Sequence, residues 1–251
     1  MMLPNIQGGY SFLRGGKPYS AGVIAAAGCA IEHVRLHKPL PWQEGFARID
    51  AYLRAAGRPR ASLCAIALRS PAALSFDGFR EFNNSYVDVL KSWNLLVDGV
   101  NPVARTNVAP EVDPPAQPSL YAFGYTIPCD AMAASFVVAG GGELPDGSAD
   151  PRDIVRANET SADALAAKAE FVLGLMQDRL HGLGATWSQV TTTNIYTVYD
   201  VNALLVTIVL PRIGAAGKHG VTWHYTRPPI VGLEYEMDVR GGTLDTTLAD
   251  G

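Results

Sequence analysis

The apolar positions along the chain change period several times, and each change marks an element. Residues 18–36 are rich in alanine, valine and isoleucine, with a break at Gly28, which predicts two strands joined by a tight turn. In residues 40–57 Phe46, Ile49 and Leu53 recur at helical spacing, and Gly57 supplies a stop. The continuous apolar run 62–68 predicts a short buried strand. Residues 76–93 place Phe79, Phe82, Tyr86, Val89 and Trp93 on one helical face, with Asp77 as its cap. Two strands follow, at 103–109 and 119–127. The first lies between Pro102 and Pro110, which disfavour helix.

The second half repeats the programme. Residues 135–141 predict a strand. Residues 162–184 predict a long helix with Leu165, Val172, Met176, Leu180 and Leu183 on its face and Gly184 as its stop. A strand at 190–199 and a helix-like run at 201–210, ending at Pro211, come next. Strands at 220–226 and 231–239 close the pattern. In the last one Leu233, Tyr235, Met237 and Val239 alternate with Glu234, Glu236 and Asp238, the period of a sheet with one buried face. Each half thus reads strand, strand, helix, strand, helix, strand, strand. The expected fold is α+β, two tandem units at 1–130 and 131–251, each a mixed sheet with two helices on one face. The tail after Gly241 has no apolar periodicity and is expected to fray.

The 251 residues are 48% hydrophobic, enough for one large core or two small ones. A net charge of -4 lacks the basic footprint of a nucleic-acid binder. No stretch approaches the ~18 consecutive apolar residues of a membrane helix. The first ten residues show no charged segment followed by an apolar block. Cys29, Cys64 and Cys129 are odd in number and widely spaced, as free thiols in a reducing compartment would be. A cytoplasmic location is therefore expected, with neither nucleic acid nor membrane as partner.

Arg105 is the one charged residue in its strand. A planar guanidinium there can hold a carboxylate through two parallel hydrogen bonds. The acids of the last strand are either its solvated side or a source of a catalytic base. His33 and His37 are four apart, but Pro39 and the strand pattern argue against the helix that presents a metal-binding pair. Trp223, His224 and Tyr225 near a cleft would shape it for a flat or aromatic ligand, with His224 among the contacts. In the plainer alternative Trp223 and Tyr225 share a packed face and His224 points outward. The glycine run at 140–142 lacks the lysine and Ser/Thr of a phosphate loop, and no nucleophile elbow is found. No metal or cofactor is implied.

Several short motifs, in this order, resemble the RidA/YjgF family. They are "GKPYSAGV" from Gly16, "FNNSYVDVL" from Phe82, "NPVARTNV" from Asn101, "FVVAGGGELP" from Phe136 and "VGLEYEMDV" from Val231. The resemblance implies a chorismate-mutase-like barrel built from three such units, with clefts between neighbours. It also implies hydrolysis of reactive enamines and imines to keto acids and ammonia. On this resemblance Arg105 grips the substrate carboxylate, Tyr19 and Asn83 line the cleft, and Glu236 handles water. Asn202, Gly140 and Gly141 match further site positions.

Each half departs from the pattern. The first lacks the acidic closing strand. The second has Gly220 where the arginine is expected, and no counterpart of Tyr19 precedes Phe136. Asn107 stands where many family members have cysteine. Each half keeps what the other lacks, so one composite cleft is expected, combining Arg105 and Tyr19 with Glu236 and Gly141. The expected function is cofactor-independent deamination of an enamine or imine bearing a carboxylate, such as an aminomuconate. The alternative is a non-catalytic small-molecule binder on the same scaffold. Two units cannot close a three-unit ring, so a homo-oligomer, most simply a trimer, is expected. Ribonuclease activity is disfavoured by the acidic pI of about 5.7.

Overall fold

A computed structural model describes residues 1–130 and 134–249. The predicted join between halves includes residues 131–133 and lies outside the described residues. In chain order the strands are β1 (Met2–Asn5), β2 (Tyr10–Leu13), β3 (Gly22–Ala25), β4 (Cys29–Pro41), β5 (Leu63–Arg69), β6 (Ala104–Pro110) and β7 (Ser119–Pro128). The second half adds β8 (Phe136–Gly142), β9 (Thr192–Thr197), β10 (Thr222–Arg227), β11 (Glu236–Gly241) and β12 (Leu244–Leu248). The long helices are α1 (Trp42–Ala55), α2 (Phe76–Ser92) and α3 (Ala162–Gly182).

All these strands join one mixed sheet, in the order β1-β2-β3-β8-β11-β9-β10-β6-β5-β7-β4-β12. This corrects the expected fold class. The molecule is not a pair of RidA-type, chorismate-mutase-like units, because its strands do not stay within their halves. Gly28, at φ 77°, does turn the chain between β3 and β4, but the two strands then part. β3 pairs antiparallel with β8 of the second half, carrying the hairpin of β1 and β2 with it. β12 crosses back to run parallel to β4, with Thr246 Oγ1 donating to Glu32 Oε1 at 2.6 Å. β10 meets β6 at Thr226–Pro110 and Arg227–Ala109. Each exchange covers an edge that would otherwise present unpaired N–H and C=O groups.

Three further expectations change. The tail after Gly241 forms β12, because edge pairing needs backbone groups and β-branched residues rather than apolar alternation. The run at 201–210 is no regular helix. It passes from Asn202–Leu204 through a π-helical segment, Leu205–Val209, into a last turn, Leu210–Ile213. Pro211 sits early in that turn, where its missing N–H costs little. The cap of α2 is Ser75, whose Oγ accepts from the Gly78 N–H at 3.0 Å, while Asp77 lies in the first turn. One core packs α1 and α2 against the first-half strands through Ile49, Leu53, Tyr86 and Leu90. Another packs α3 against the second-half strands through Val172, Met176, Ile195, Tyr235 and Met237. The site lies between them.

Candidate active site

β6 carries Arg105 and Asn107 two residues apart, hence on one face of the strand. Both are buried, and both line a cavity of about 380 Å³. Its other walls come from the 16–19 loop, the first turns of α2, the glycine end of β8 with the loop after it, Leu175 and Arg179 of α3, the 229–233 segment, and Glu236 at the start of β11. First-half and second-half residues therefore share one cavity. Of the expected residues, Tyr19, Asn83, Arg105, Gly140, Gly141 and Glu236 all line it.

Arg105 is only 4% exposed, and no carboxylate among the described residues pairs with it. Its Nη2 donates to Asn83 Oδ1 at 2.6 Å, and its guanidinium lies 4.8 Å from the Tyr86 ring centre and 5.5 Å from that of Phe79. Its Nη1 is buried without an acceptor. Asn107 repeats this arrangement: Oδ1 accepts from Ser70 Oγ at 3.0 Å, and Nδ2 is buried without an acceptor. Two donors from one strand, one of them cationic, thus stand unsatisfied at the cavity. A buried charge without a partner costs several kcal/mol, of the order of 3–5. Such sites persist where a ligand compensates them.

Glu236 is 4% exposed and takes no side-chain hydrogen bond from the described residues. Burial above all, then the neighbouring Asp238, pushes its pKa well above the usual carboxylate value, against the pull of Arg179 and Arg105. Gly140 makes room for it: a Cβ there would run into Glu236 Oε1 and Thr106. Tyr19 is half-buried, and burial raises its pKa, with Arg179 the largest opposing charge.

Arg179 on α3 carries no signal that the family motifs could supply. Its Nη1 donates to the carbonyls of Ala139 and Gly140, at 2.9 and 3.3 Å, and its Nη2 to Asp146 Oδ1 at 2.7 Å. It ties the glycine end of β8 and the following loop to the helix. The one clue in the sequence is an arginine set between Met176 and Leu180 on the helix's apolar face, which carries one other charged residue, Lys168. Glu143, 0% exposed, pairs with buried Lys168 at 3.1 Å and accepts the backbone N–H groups of Glu234 and Tyr235 at 2.6 and 3.1 Å. It thereby anchors the chain just before Glu236.

Asn202 and His224 are not brought to this cavity. Asn202 is exposed and donates twice to Asp200 Oδ1. His224 faces inward, its ring stacked 4.8 Å from Tyr196 and its Nε2 3.2 Å from Asn194 Oδ1, while Trp223 and Tyr225 are exposed. This reverses the plainer sequence expectation for the three, because His224 shares a sheet face with Asn194 and Tyr196 of the neighbouring β9, both of which bond Asp238. Gly220 is no strand position. It lies in the turn before β10 at φ 78°, a conformation that suits glycine. His33 and His37 both lie on β4, and His33 Nδ1 is 3.2 Å from Asp245.

The sequence model of a family described as "2-aminomuconate deaminase CnbZ" matches residues 2–246. A 2-amino-5-chloromuconate deaminase of Comamonas testosteroni is 46% identical over 244 residues, 96% of each chain. Among solved structures, a chorismatase aligns with 88% of this chain and 77% of its own, at 12% identity and a TM-score of 0.49. A cyanuric acid hydrolase aligns with 88% and 69%, at 8% identity and a TM-score of 0.40. The full-length match overturns the RidA/YjgF resemblance and the tandem RidA duplication inferred from it. Short motifs alone carried that resemblance, whereas the family match runs through residues 2–246.

Proposed function

The chain belongs to the 2-aminomuconate deaminase CnbZ family, and on that premise we propose that it hydrolyses the enamine–imine form of an aminomuconate, releasing ammonia and leaving a 2-oxo dicarboxylate. The observation that carries this reading is the meeting of Arg105, from the first half, with Glu236, from the second, in one cavity.

An aminomuconate bears its nitrogen on the carbon next to a carboxylate. In its imine form that carbon is electrophilic. Arg105 Nη1 and Asn107 Nδ2 supply donors for the adjacent carboxylate, and the arginine fork sets its plane. Glu236 takes a proton from water as the oxygen adds to the imine carbon. It returns that proton to the nitrogen, giving a carbinolamine, then carries the carbinolamine's hydroxyl proton to the amino group, and ammonia leaves as the carbonyl forms. One water is consumed, one ammonia is released and the carboxylate is regenerated. A base raised above the usual carboxylate range is better matched to work near neutral pH than an ordinary glutamate.

The test supplies 2-aminomuconate, generated in situ, to the purified protein and follows ammonia and loss of the conjugated chromophore. Acceleration over the spontaneous rate, lost in Arg105→Ala and Glu236→Gln, is the expected result. A rate no faster than spontaneous hydrolysis ends this reading.

A further inference from the structure

Most charges around the cavity can be matched in pairs. Arg179 is bound to Asp146 at 2.7 Å, and Arg80 to Asp77 at 3.0 Å. Two cations remain without a carboxylate partner among the described residues, Arg105 at depth and Lys17 at the exposed rim. Consecutive asparagines of α2 hold them. Asn83 accepts from Arg105 Nη2, and Asn84 accepts from Lys17 Nζ at 3.3 Å. The remaining acid, Glu236, is driven toward its neutral form by burial. A cavity with two spare cations at different depths suits a ligand with a negative charge at each end.

We propose that Lys17 receives the far carboxylate of a dicarboxylate whose near carboxylate is held by Arg105, and so selects dicarboxylates over monocarboxylates. The inference rests on the deaminase reading above and adds the residue that reads the far end of the substrate. The residue types fit the division of labour. The planar arginine fork fixes orientation beside the reacting carbon. A lysine, a compact charge on a flexible stem, follows the far end without dictating its plane. At the rim the interaction is partly screened, so its effect is on the order of tenfold in affinity rather than a thousandfold.

Muconate and sorbate share the same diene skeleton and differ by one carboxylate. Calorimetry with each, on wild type, Lys17→Met, Lys17→Arg and Arg80→Met, tests the assignment. Lys17→Met is expected to weaken muconate about tenfold and to leave sorbate within about twofold. Lys17→Arg is expected to restore most of the loss, and Arg80→Met to change neither ligand. Equal weakening of both ligands, no weakening, a loss carried by Arg80→Met instead, or a wild type with no preference for muconate would overturn it. Wild-type turnover of 2-aminomuconate separates the two claims. An active wild type whose Lys17→Met variant does not discriminate removes only the role of Lys17. An inactive wild type removes the deaminase reading itself.

Discussion

Arg105 and Glu236 are both buried charged residues, and each trades stability for readiness. Replacing Arg105 with methionine removes a buried cation that lacks a counter-ion, so the variant is expected to melt no lower than wild type while losing carboxylate binding. Thermal melts with and without muconate check both parts. Glu236 has a folded-state pKa above its unfolded value. Its contribution to stability is therefore fully present below the unfolded pKa and is lost as pH rises through the folded one. Glu236→Gln should match wild type in acid and melt higher than wild type at pH above the raised pKa. In activity the sign is opposite. A base must be ionised, so kcat/KM should rise with pH along a limb lying above the usual carboxylate range. Glu236→Gln should lose about a hundredfold or more. At Gly140 even alanine meets Glu236 Oε1 and Thr106, so Gly140→Ala should cost about 1–3 kcal/mol of stability and most of the activity, measured by denaturant titration and turnover.

Elements decide whether those residues meet. The parallel pairing of β6 with β5 sets the face on which Arg105 and Asn107 emerge, and α2 brings Asn83 to them. On the other side the Glu143–Lys168 pair joins α3 to the segment entering β11. Lys168→Met would leave a glutamate buried without its counter-ion and should cost about 3–5 kcal/mol by denaturant unfolding. It should also lower kcat more than it raises KM, since Glu234 and Tyr235 lead directly into Glu236. The helices α1, α2 and α3 were legible from their spacing, because one apolar stripe against one core leaves a 3.6-residue period. The hairpin of β1 and β2 was not, since its four-residue strands are too short to show a period. The π-helical segment was not either, since one extra residue per turn leaves no mark on composition.

For the whole molecule, the exchange of strands between halves matters most. β1–β3 extend the second-half strands and β12 covers the edge of β4. Deleting residues 243–251 should expose that edge, lower the melting temperature and promote concentration-dependent aggregation, readable by light scattering. An unchanged melt and a stable particle size would show that β12 is dispensable. Among the described residues no helix is long and apolar enough to cross a membrane.

Local chemistry was settled by the chain itself: which stretches carry a helical or strand period, which strand holds a lone arginine, and which later strand alternates acids with apolar residues. These are properties of neighbours in sequence, and period and residue type record them directly. Arg105 and Glu236 line one cavity, a meeting across the chain that no local period records. The way the strands pair was not written locally. Hydrogen bonds between strands involve backbone groups common to every residue, so β3 carries no mark that its partner is β8 rather than β4. Nor could a period show that Arg179, on the long second-half helix, would reach the cavity, or that Lys17 at the rim would meet no carboxylate among the described residues. Only the packed sheet decided these, because the matching of charges depends on which side chains come within reach once the strands are in place.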